Sequence, residues 1–165
     1  KVYSKCRISK NVNSEDKFIV DCSGSLEVKK IKITSLTNEV FEFGRVEDEF
    51  MCLNCSELTS LKGAPKWVGR SFRCSYCTNL TSLEGSPEYV GGNFSCYGCK
   101  SLTSLEGSPQ NIKGSFFCDF CDKLTSLVGA PKTINQDFTC VQCSSLISLK
   151  GVPKWVGGDL DVVTV

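Results

Sequence analysis

Five consecutive stretches of this chain repeat one another at a fixed spacing of 22 residues, opening on Phe50, Phe72, Phe94, Phe116 and Phe138. Each reads F-x-C-x-x-C-x-x-L-[TI]-S-L-x-G-x-P-x-x-[VI], usually followed by glycine. A block of this length is one supersecondary unit that cannot bury its own apolar face, so it must stack on copies of itself. The expected fold is therefore mainly β, a solenoid with one short parallel strand per repeat. Residues 50–165 would supply five repeats and a partial sixth strand, and residues 1–49 an N-terminal β-rich cap.

Counting each Phe as position 0, apolar or thiol residues fall at positions 0, 2, 5, 8 and 11. Alternation along a strand turns positions 0 and 2 inward, and Gly at 13 with Pro at 15 interrupts any regular element that follows. Little helix is expected, with an extended or 3₁₀-like return carrying Trp67-Val68, Tyr89-Val90 and Trp155-Val156 as convex-side packing. The pattern resembles the leucine-rich repeat family over residues 50–159, with Phe opening the strand where Leu is commoner and Cys in both ladder positions. The run L-T-S-L-x-G-x-P-x-x-V-G-G also resembles short repeats of bacteriophage-encoded proteins. That second resemblance implies a small inhibitor of a host bacterial protein, such as a defence component, at work in the host cytoplasm.

Residues 1–49 carry period-2 alternation instead of the repeat, in Lys17-Phe18-Ile19-Val20, in Glu27 to Ile33 and in Glu39-Val40-Phe41-Glu42-Phe43. These read as short half-buried strands separated by turn residues such as Cys22-Ser23-Gly24-Ser25. Ile33-Thr34-Ser35-Leu36 echoes Leu58-Thr59-Ser60-Leu61, as a degenerate zeroth repeat would. At the other end Leu160 takes the Phe place, Val162 that of the first Cys and Val165 that of the second. The strand edge left there is a place where two copies could pair.

Twelve cysteines in 165 residues would suit a disulfide scaffold in a small secreted protein. Ten of them, however, occupy repeat positions that a stacked core needs filled, and a free Cys behaves as a small buried hydrophobe. Cys52-x-x-Cys55 followed by Cys74-x-x-Cys77 formally matches zinc spacing. The match recurs through Cys96/Cys99, Cys118/Cys121 and Cys140/Cys143, giving an odd number of pairs and no natural way to close every site. Reduced thiol ladders without metal or other cofactor, in a cytoplasmic protein, are the expectation; a structural zinc-binding or redox-sensitive Cys-ladder protein is the alternative.

Catalysis is not expected. The chain has no His, which removes the commonest general base and every Cys-His or Ser-His arrangement. Lys+Arg 19 against Asp+Glu 18 leaves no basic excess for nucleic acid, and no apolar run approaches the roughly 18 residues of a membrane span.

Whatever the repeats do not share is free for recognition. Position 1 carries Met51, Arg73, Ser95, Phe117 and Thr139; position 3 Leu53, Ser75, Tyr97, Asp119 and Val141; position 4 Asn54, Tyr76, Gly98, Phe120 and Gln142. Tyr, Phe, Met and Arg are enriched at interface cores, and a large exposed apolar patch marks an interaction site. The expected function is thus a non-catalytic protein-binding module. Its contact residues would be Met51, Leu53, Arg73, Tyr76, Tyr97, Phe117, Asp119, Phe120 and Val141, gripping a protein partner that the phage-like resemblance implies is of a bacterial host.

Overall fold

The computed structural model describes residues 6–10, 18–30, 32–37 and 41–163. Seven strands stack in parallel, in chain order, on the front of a β-solenoid. They are Leu26–Lys29, Phe50–Leu53, Phe72–Arg73, Phe94–Ser95, Phe116–Phe117, Phe138–Val141 and Leu160–Val163. Register is strict: Leu26, Phe50, Phe72, Phe94, Phe116, Phe138 and Leu160 face one another in succession. There is no helix among the described residues, so none there is long and apolar enough to cross a membrane.

The return is extended as well. Arg45 and Val46 pair with Trp67 and Val68, and these with Tyr89 and Val90. A bridge from Val90 to Ile112 and a pairing of Thr133–Ile134 with Trp155–Val156 carry this back ladder onward. Only the second member of each apolar pair turns inward: Val68, Val90 and Ile134 are fully buried, while Trp67 and Tyr89 stack on each other outside at 5.5 Å. The corner between front and back depends on glycine. Gly85 has φ 89°, and a Cβ there would run into the backbone of Leu61 and Lys62 one coil below, so the Gly-x-Pro element sets how closely the coils approach.

The core is a set of columns. The rings of Phe50, Phe72, Phe94, Phe116 and Phe138 stack at 5.3, 5.5, 5.2 and 5.5 Å, with interplanar angles between 4° and 27°. In-register parallel strands dictate this, since each residue meets its own copy about 4.8 Å away. Such aromatic pairs contribute about 0.5–1.5 kcal/mol beyond the area they bury. The position 2 and 5 cysteines and the position 8 and 11 leucines of the first four repeats complete a fully buried interior.

The N-terminal part joins the solenoid instead of sitting apart from it. Leu26 lies opposite Phe50 and Val28 opposite Cys52, while Thr59 N–H bonds to the Thr34 carbonyl at 3.0 Å. The echo Ile33 to Leu36 is thus a coil beneath the first repeat. Phe18–Cys22 continues the back sheet, and Cys6–Lys10 then pairs with it antiparallel, the one antiparallel pair among the described residues. Cys22 is buried and disulfide-bonded, with Cys6 opposite it in register. Of the expected strand and repeat residues, Lys17, Ile31, Glu39, Val40 and Val165 lie outside the described residues.

Candidate functional site

Position 4 follows each front strand, and its backbone is left-handed in every repeat: φ is 55° at Asn54, 60° at Tyr76, 71° at Gly98, 57° at Phe120 and 59° at Gln142. The turn is needed so that the next residue, the second cysteine, points inward. Asn and Gly accept this conformation readily. A bulky ring does not, and a residue held there costs about 1–3 kcal/mol. Tyr76 and Phe120 nevertheless stand at it, held by Tyr76 N–H to the Tyr97 carbonyl at 2.8 Å and Phe120 N–H to the Val141 carbonyl at 2.9 Å.

Gly98 lets these rings meet. A Cβ at Gly98 would lie 2.8 Å from the Tyr76 ring, so that ring leans over the glycine of the coil above. Tyr97 then fills the space between, 5.3 Å from Tyr76 at 65° and 5.0 Å from Phe120 at 43°. Two columns of the sequence pattern interleave into one row. Its ends are open, Tyr76 being 49% and Phe120 41% exposed.

Beside the row runs a groove of about 380 Å³ lined by Arg73, Ser75, Tyr76, Asn93, Ser95, Tyr97, Phe117 and Asp119. Five of the nine contact residues expected from the sequence thus line it, and Phe120 joins through its ring contact. Met51, Leu53 and Val141 are half-buried on the flanking strands and do not line it. Ser75, Asn93 and Ser95 were not anticipated; Asn93 precedes the strand, a column that the outward alternation leaves out. The small side chain of Ser95 provides the depression, with its Oγ 3.3 Å from that of Ser75.

The charged groups of the groove differ in role. Arg73 is exposed and pairs with Glu49 at 3.3 Å. Asp119, expected as an outward-facing contact residue, is instead 9% exposed and braces two coils: its Oδ1 accepts from Val141 N–H at 2.8 Å and its Oδ2 from Thr139 Oγ1 at 2.7 Å. The strand ends at Phe117, so the alternation that would turn Asp119 outward has already lapsed. Surrounding protein first, then Tyr76 and Asp119, hold the Tyr97 phenol above its ordinary value.

All ten repeat cysteines are buried thiols outside any disulfide, and most of them donate to backbone carbonyls, while Cys140 donates to the Cys143 sulfur at 3.4 Å. The second cysteine of each pair donates to the carbonyl of the first one in the coil below: Cys77 to Cys52 at 3.3 Å, Cys99 to Cys74 at 3.1 Å, Cys121 to Cys96 at 3.4 Å and Cys143 to Cys118 at 3.2 Å. The first cysteine donates upward, as Cys74 does to the Ser95 carbonyl at 3.4 Å. Contact with Cys99 and then burial push the Cys74 thiol well up, and burial pushes Cys118 up to about 11. A thiol in that state is neither nucleophile nor ready metal ligand. Among the described residues no group of three or more His, Cys, Asp or Glu side chains is arranged to hold a metal ion.

No family model, curated protein or solved structure matches the chain.

Proposed function

We propose that this chain is a non-catalytic protein-binding module whose front face holds a protein partner through Tyr76, Tyr97 and Phe120. The observation that carries the reading is the placement of Tyr76 and Phe120 on left-handed backbone that Asn54 and Gly98 serve at no such cost. The turn itself belongs to the fold, but folding does not require a ring on it, since Asn54, Gly98 and Gln142 hold the same turn. Recognition explains it. Rigid aromatic rings flanked by polar rims are the groups on which protein interfaces concentrate their affinity. A host bacterial protein is the class of partner that the repeat style suggests.

The test is capture from bacterial lysate with the wild-type chain and with Tyr97→Ala and Phe120→Ala in parallel. Loss of one specific protein from both variants, with melting temperature nearly unchanged, supports the reading; capture undiminished by either variant refutes it.

A further inference from the structure

We infer that the partner presents an arginine whose guanidinium lies on the Tyr76–Tyr97–Phe120 row, an assignment that rests on this face being the docking surface. The argument is one of charge complementarity. Around the row, Arg73 is offset by Glu49 at 3.3 Å and Lys100 by Asp122 at 3.3 Å. Asp119 accepts two hydrogen bonds but has no cation within ion-pair distance among the described residues. The groove therefore keeps one uncompensated negative charge, beside ring faces that are themselves electronegative. A carboxylate or phosphate would meet like charge there, and an unsubstituted apolar group would leave Asp119 uncompensated.

The molecule's other aromatic row shows what such a row accepts. On the back, the stacked rings of Trp67 and Tyr89 are covered at both ends by cations: the Arg45 guanidinium lies 3.7 Å from the Trp67 ring and the Lys113 ammonium 6.0 Å from that of Tyr89. The front row has a similar ring spacing, yet no described cation covers it. Its tilts of 65° and 43° mean that the rings do not form one flat platform but offer separate faces and edges. A planar, weakly hydrated guanidinium can stack on one face while its edge N–H groups point toward the acid; a compact, strongly hydrated ammonium is less suited.

The test is an aromatic ¹H–¹³C NMR titration with N-acetylarginine methylamide, beside its neutral citrulline analogue and the glutamate equivalent. Saturable shifts confined to the Tyr76, Tyr97 and Phe120 rings are expected, with binding at least about fivefold weaker for citrulline. Asp119→Asn, which retains an acceptor for Val141 N–H, should weaken arginine binding toward the citrulline level. Equal binding of citrulline or glutamate, or no saturable shift with arginine, overturns the inference. Should that happen while Tyr97→Ala still loses the captured protein, the docking face stands and only its arginine is wrong.

Discussion

Cys99 Sγ donates to the carbonyl oxygen of Cys74, one coil below, at 3.1 Å. The same bond recurs from Cys77, Cys121 and Cys143, so in each of these repeats the second cysteine ties its coil to the carbonyl of the first cysteine in the coil below. A side chain at this place must be compact, inward-facing and a donor. Cys99→Ala should therefore destabilise the chain by about 1–3 kcal/mol, the penalty for a buried acceptor left unsatisfied. Cys99→Ser, which retains a donor, should lose less. Urea denaturation orders the three proteins; an Ala variant as stable as wild type would show that the thiol bond contributes nothing.

Phe94 and Tyr97 are three residues apart on one coil but belong to different parts of the structure. Phe94 is fully buried between Phe72 at 5.5 Å and Phe116 at 5.2 Å. Phe94→Ala should cost about 3–5 kcal/mol and loosen the coupling between neighbouring coils. Tyr97→Ala should cost little more than the about 1 kcal/mol of its ring contacts. Thermal melts of the two variants check this, and equal shifts would contradict the front-strand register.

Much of the architecture is legible in the repeat, because an in-register ladder leaves each position one environment: Phe at 0 and Cys at 2 can only alternate inward. Three features are not legible for physical reasons. Trp67–Val68 and its equivalents form a second ladder, but a two-residue strand is too short to show a period. Asp119 reads as outward by alternation, whereas the strand has ended and its carboxylate caps the coil above. The aromatic residues of the row are expected together from the sequence, but their ring contacts depend on Gly98, whose missing side chain admits the Tyr76 ring. The left-handed turn did leave a signal, Asn54 and Gly98 sharing a column with two aromatic residues.

The buried thiols that are pushed up, Cys118 among them, predict an alkaline limit to stability, with Cys77 the exception because its contact with Cys52 holds its thiol down. Cys118 is raised from its ordinary 9.0 to about 11 by burial first of all. A group whose folded value is raised binds its proton more firmly when folded, so its contribution is fully present below pH 9. Between about pH 9 and 11 the unfolded chain releases that proton and the folded chain does not, so stability falls. Urea midpoints should be flat with respect to the thiols up to about pH 8.5 and decline above it. Thiol titration at neutral pH should find none of the ten reactive in the folded protein and all ten after denaturation without reductant; rapid native labelling would place them at the surface.

Phe120 offers the sharpest separation of folding from recognition. Its φ of 57° is acceptable to Asn and unfavourable to a branched or bulky side chain. Phe120→Asn and Phe120→Leu both delete the ring that meets Tyr97 at 5.0 Å. They differ in whether the left-handed strain remains. Phe120→Asn should consequently be more stable than Phe120→Leu by about 1 kcal/mol, although Leu is the nearer match in hydrophobicity, and it should be about as stable as wild type. Both should lose the captured partner, since a truncated aromatic anchor commonly costs about 2 kcal/mol or more of binding, roughly a thirtyfold loss of affinity. A variant that gains stability while losing binding would identify Phe120 as a residue kept against the preference of the backbone that carries it. Were Phe120→Leu the more stable of the two, the turn would exert no strain, and the placement of the rings would no longer argue for recognition.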